Sequence, residues 1–360
     1  RFLTSVPLNK LTAASGIRKM RKRWTSALLA AALLALMPYF GWTKEYDIAA
    51  FVWPAYHPDD RAKIFWPEGI GEWQTVRSTQ PKHAGHLQPR HPLWGYINEA
   101  DPYVAEMEIA AAADHGVNVF IFDWYWYDGL PYLEGHLNDG YLKARNNDRV
   151  KFYLMWANHD VNLIWDKRNA DAAFTQKNKA VIWKGGVDRA EFEKIARRWI
   201  ERYFTHSSYY RIQGRPVLML YDLDVFVESL GGVAAAREAL VWFRQEVQKA
   251  GFPGLELQLS MRGEIDPSFK AWAGTSPQVT DQLAFDSLTH YQFVHFVKVG
   301  RDYADLLQDA EREWHAISTR HKAKYYPHVS IGWDASPRAE QFTGPTITNN
   351  SPEAFEKGLR

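Results

Sequence analysis

Carboxylic acids recur where apolar runs of this chain give way to polar residues: Asp59, Glu72, Asp123, Asp128, Asp160, Asp222, Asp224, Glu264, Asp286 and Asp334. Two carboxyl groups about 5 to 9 Å apart can cleave a glycosidic bond, one passing a proton to the leaving oxygen while the other attacks or activates water. Aromatic residues stand beside them: Trp73 after Glu72, Trp124 and Trp126 between Asp123 and Asp128, Trp156 before Asn158 and His159, Tyr221 before Asp222. Rings pack on the apolar faces of a sugar while acids and amides take its hydroxyls. Taken alone, each acid is more readily a helix cap or an arginine partner than a catalyst. The collective bias of acids and aromatics to one kind of position carries the signal. The expected sugar contacts are His57, Glu72, Trp73, Arg90, Asp123, Trp126, Asp128, Trp156, Asn158, His159, Tyr221, Asp222 and Asp334. For Trp124 and Trp126 the alternative is burial in the core, with Asp128 capping a turn.

Those positions need elements to present them. The stretch 116–129 (GVNVFIFDWYWYDG) is too short for a buried helix and rich in β-branched and aromatic residues, so it predicts a strand covered on both faces. Helical periodicity precedes it over 101–115. Further strands are predicted over 47–56, 150–158, 217–224, 255–261, 281–293 and 326–333, and helices over 184–204, 233–250 and 303–322. The ending NNSPEAFEKGLR reads as one more helix start, with Asn350 or Ser351 as cap and Pro352 in the first turn. The stretch 67–96 lacks periodicity, and its Trp, His, Arg and Gln content suits an ordered wall of a site. Strands alternating with helices select an α/β fold, and polar C-terminal strand ends suit a (β/α)8 TIM-type barrel. Seven strands are predicted, so the barrel is expected to be incomplete, with 46–360 as its domain.

Other chemistries find less support. The chain has 360 residues, a formal charge of +1 and no cysteine, which argues against a nucleic-acid surface and leaves no disulfide or thiolate. Sixteen tryptophans are far above ordinary usage, and saccharide clefts are among the few places needing many indoles. No HExxH, GxSxG or glycine-rich phosphate loop occurs, so no metal or cofactor is implied. At the other end, Arg21–Arg23 followed by the Ala/Leu-rich stretch to Phe40 has the form of an export signal, or of an uncleaved anchor. Residues 1–45 are thus expected to be an upstream segment with a signal, and the protein to act in the periplasm or outside the cell.

Several of these motifs, taken in order, resemble the WbsX-like proteins, which are related to glycoside hydrolase family 99. They are Trp53-Pro54 with His57, GIGEW at 69–73, GHLQPRHPLWGY at 85–96, FDWYWYDG at 122–129, WAN at 156–158, RPVLMLYD at 215–222 and GWDASPR at 332–338. The resemblance implies a glycosidase-like (β/α)8 barrel acting on an oligo- or polysaccharide at its C-terminal face. It also implies that the principal catalytic pair lies in an Asn-Glu-Trp-x-Glu segment on the last strand, expected beyond residue 360. His159 stands where the family tends to have an acid. Hydrolysis of glycosidic bonds is the main expectation. The alternatives are a glycosyltransferase of polysaccharide biosynthesis and a glycan-binding protein without catalysis.

Overall fold

The structure, a computed structural model, describes residues 46–168, 180–269, 276–341 and 346–360. The expected signal segment lies outside these residues. The chain divides at Tyr46, and the unit Asp47–Arg360 is the one described below.

Seven strands form one parallel sheet in chain order: β1 Ala49–Val52, β2 Val119–Tyr127, β3 Lys151–Trp156, β4 Arg215–Leu220, β5 Glu256–Met261, β6 Ser287–His290 and β7 Lys324–Tyr325. Each pairs with the next, through registers such as Phe51 with Ile121, Ile121 with Tyr153, Leu218 with Leu257 and Leu288 with Tyr325. The sheet curls, because Phe51 on β1 meets Tyr291 just past β6 at 4.9 Å between ring centres and His328 past β7 at 5.6 Å. Among the described residues no backbone ladder joins β7 to β1. The fold is therefore an unclosed seven-stranded barrel of the (β/α)8 kind.

Helices connect most strands: α1 Trp73–Arg77 and α2 Pro102–Asp114 before β2, α3 Arg189–Trp199 before β4, α4 Leu223–Ser229 and α5 Val233–Lys249 before β5, α6 Pro277–Leu283 before β6, α7 Tyr303–Arg320 before β7, and α8 Pro352–Leu359 at the end. Their starts obey capping chemistry. The side chains of Asp101, Asp188, Asp222, Ser276, Asp302 and Ser351 each accept a hydrogen bond from a backbone N–H of the first turn. The outward face of the sheet packs under this layer: Trp156 lies between Phe192, Trp199 and Phe226. Burying a side chain of this size stabilises the fold by about 1.5–3 kcal/mol or more.

Among the predicted boundaries that move, three have a clear local cause. The strand read over 281–293 shortens to β6, because Ser276 and Pro277 start a helix that Ala284 ends in the left-handed conformation (φ 56°). The strand read over 217–224 stops at Leu220, where Asp222 turns the chain into α4. The strand read over 326–333 is irregular; pairing ends at Tyr325, with Tyr326 still donating to Leu288 O before Pro327, which has no N–H to offer.

Candidate functional site

Alternation along the strands decides what faces the barrel interior. On β2, Asp123 and Tyr125 point inward, while Trp124 and Trp126 point out to the helices. On and just beyond β3, Met155 and Ala157 are inward and Trp156 is outward. At the C-terminal ends of the strands the inward residues floor a cavity of about 720 Å³. Its sides come from Trp53 and Tyr56 after β1, Glu72, Trp73, Gln88 and Arg90 from the long connection to β2, Trp165 after β3, Tyr221 after β4, Tyr291 and His295 after β6, and Trp333, Asp334 and Arg338 after β7.

Glu72 is brought to the wall by a glycine. A Cβ on Gly71 would lie 2.0 Å from Ala55 O, and its φ of +63° also favours glycine. Arg338 then donates through Nε to Glu72 Oε1 at 2.6 Å and through Nη2 to Oε2 at 3.1 Å, and Trp53 Nε1 donates to Oε2 at 2.6 Å. Burial opposes the charge of Arg338, but Glu72 holds its pKa above the ordinary arginine value. Asp334 is also fully engaged: Gln88 Nε2 donates to Oδ2 at 2.7 Å, His86 Nε2 lies 3.0 Å from the same oxygen, and Ser336 N donates to Oδ1 at 2.9 Å. Although burial works the other way, Ser336, His86 and Gln88 bring its pKa down to about 2.

The floor has the opposite character. Asp123 is buried, and its Oδ2 accepts a hydrogen bond from Tyr291 at 2.6 Å, while Oδ1 has no partner of ordinary geometry. Burial pushes this carboxyl up to about 8, against the pull of the Tyr291 and Tyr125 hydroxyls. It is therefore a neutral acid at pH 7. Burial likewise lowers His159, and lowers His295 further with Arg262 adding to the effect, so both imidazoles are uncharged.

Of the expected sugar contacts, Glu72, Trp73, Arg90, Asp123, His159, Tyr221 and Asp334 share this one cavity. The other six do not line it. Trp126 donates to Glu191 Oε1 at 2.8 Å and lies under Lys194 and Arg198, and Trp156 belongs to the sheet–helix layer. Asp128 sits exposed in the tight turn after β2 with φ 51°. Asn158 donates to Asp222 O at 2.7 Å and accepts from Asp222 N at 2.8 Å, joining the ends of β3 and β4. Asp222 itself caps α4, accepting from Val225 N at 3.0 Å. His57 is buried with Nδ1 2.8 Å from Pro58 O, and its ring fills the space a Cβ on Gly135 would take. Residues not anticipated include Tyr125, Trp165, Tyr291, His295, Trp333 and Arg338. Several of these had a sequence signal: Tyr125 is spaced two residues from Asp123, Tyr291 stands towards the end of the strand read over 281–293, and Trp333 and Arg338 fall within GWDASPR at 332–338. Among the described residues no group of three His, Asp or Glu side chains is arranged to hold a metal, and no helix is long and apolar enough to cross a membrane.

Comparison with known proteins agrees with this architecture. An endo-alpha-mannosidase of glycoside hydrolase family 99 from Bacteroides thetaiotaomicron superposes with a TM-score of 0.52 at 10% identity, covering 86% of this chain and 79% of the other. The same enzyme in complex with BIS-TRIS-propane gives 0.53 at 11% identity, covering 86% and 77%. At such identity the likeness is one of fold. The uncharacterized protein WxcX of Xanthomonas campestris pv. campestris is 28% identical over 307 residues, which are 82% of this chain and 40% of that protein. The chain thus spans about two fifths of the length of the curated relatives it matches. Residues 48–360 match the family described as Glycosyltransferase WbsX, and the chain belongs to that family.

Proposed function

We propose that the cavity grips an oligo- or polysaccharide and that the protein moves a glycosyl unit during polysaccharide assembly. The carrying observation is the single hollow in which Trp53, Trp73, Trp165 and Trp333 meet the neutral carboxyl of Asp123. Indoles suit sugar ring faces, and a buried hydroxyl–carboxyl set suits sugar oxygens. The proposed contacts are Glu72, Trp73, Arg90, Asp123, His159, Tyr221 and Asp334. Trp126, Trp156, Asn158, Asp222 and His57 shape the frame behind them, and Asp128 lies in the exposed turn after β2. The description of the family supports transfer rather than cleavage. Export is proposed on residues 21–40 alone.

Hydrolysis is the second reading, supported by the fold shared with the endo-alpha-mannosidase structures. A mass-spectrometric assay separates the two. The protein is incubated with a panel of glycan donors, nucleotide sugars and saccharide acceptors. Lengthened acceptor supports transfer; new reducing ends without lengthened acceptor support hydrolysis. Saturable binding with no product leaves a glycan-binding role, and neither binding nor product refutes the proposal.

A further inference from the structure

The charges on the cavity wall are unevenly spent. The Glu72 carboxylate is taken by the bidentate Arg338, Asp334 by His86, Gln88 and a backbone N–H, and Asp123 is uncharged at pH 7. His159 and His295 are neutral. That leaves Arg90. It lines the mouth of the cavity, exposed, and among the described residues its guanidinium has no carboxylate partner. Its backbone is nevertheless held on both sides: Arg90 N donates to Gln88 Oε1 at 3.1 Å, and Tyr96 donates through its hydroxyl to Arg90 O at 3.2 Å. Gln88 is in turn tied to Asp334 across the mouth. The segment 73–98 that carries Arg90 contains Arg77, Lys82 and three histidines and not one Asp or Glu.

From this juxtaposition, a fixed backbone and an unspent guanidinium lining the same cavity as Trp73 and Trp333, we infer that the glycan is acidic: Arg90 receives an oxyanion carried by the sugar ligand. This rests on the glycan reading above and specifies its substrate class. Guanidinium–oxyanion hydrogen bonds are directional and about twice as strong as neutral ones, so a carboxylate or phosphate on the sugar would be selected over a neutral substituent. The two sources of that charge are a uronate within the glycan and the phosphate of an activated sugar.

Calorimetric titration of the protein at low salt tests it, with a panel of uronate trimers, their neutral methyl esters, and uridine diphosphate. Wild type is expected to bind an acidic trimer about ten-fold or more tightly than its ester. Arg90→Gln should close the gap between acid and ester, the two trimers then binding that variant equally, and Arg90→Lys should restore part of the gap. If instead only uridine diphosphate shows the Arg90 dependence, the oxyanion is a phosphate. Equal affinity for trimer and ester in wild type, with no Arg90-dependent diphosphate binding, overturns the charge inference and leaves glycan binding standing. A protein that binds none of these probes, nor any neutral glycan, overturns both.

Discussion

Asp123 is the residue whose chemistry is most altered by its surroundings. Its folded pKa of about 8 lies far above the value of 3.8 for a free side chain. The folded state thus keeps a proton that the unfolded chain has lost, and the stability tied to that proton is complete below about pH 4 and is lost as pH rises through about 8. Between those limits this one group takes away about 1.4 kcal/mol per pH unit. Asp123→Asn should flatten that slope in denaturant titrations at pH 5, 6, 7 and 8; an unchanged slope would mean that the carboxylate is solvated. His136 adds a second slope at higher pH. Burial opposes its charge, but Glu99 at 3.2 Å and Glu108 at 3.0 Å bring its pKa up to about 10. Its contribution is full below about 6.5 and lost as pH rises towards 10. Tryptophans at two depths separate stability from binding. Trp126→Ala should cost about 3–5 kcal/mol in unfolding experiments with little change in glycan affinity. Trp73→Ala should weaken binding by about 0.5–1.5 kcal/mol through lost stacking while the fold tolerates it.

Among the elements, β2 shows what was readable beforehand and what was not. Its apolar run marks the strand, and the polar residues at its end mark the lip. The period of two along a strand then separates Asp123 and Tyr125 from Trp124 and Trp126, and counting tryptophans without that parity put Trp126 and Trp156 into the site. Asp128 missed because a left-handed turn carries it past the lip. The partners of Glu72 and of Asp123 were not legible at all: Arg338 is 266 positions from Glu72 and Tyr291 is 168 from Asp123. No local pattern encodes such a meeting; it exists only once the sheet has curled. The loop that carries Glu72 can be tested directly. Gly71→Ala should destabilise by more than about 1 kcal/mol, because the new Cβ meets backbone at a positive φ. Thermal melts would read the loss, and an unchanged melt would show that the loop can shift without cost.

At the scale of the molecule, β1 and β7 are each paired on one side only among the described residues. Unpaired strand edges invite further pairing. Hydrogen exchange should therefore be faster in β1 and β7 than in β3 and β4, and self-association should grow with concentration. Equal protection would mean that another segment or another molecule covers the edges.

Among the described residues the two ends of the sheet are nonetheless fastened at the mouth, each link made through at least one side chain. Glu72 reaches Arg338, His86 and Gln88 reach Asp334, and Lys82 donates to Ser336 O at 2.7 Å and to Ala339 O. Chimaeras between family members would expose what this entails. Transplanting either loop alone strands a desolvated acid or guanidinium without its counterpart, whereas grafting the early and late loops together preserves the match. Specificity in this family would then be inherited as a two-piece cassette, its halves some 250 residues apart.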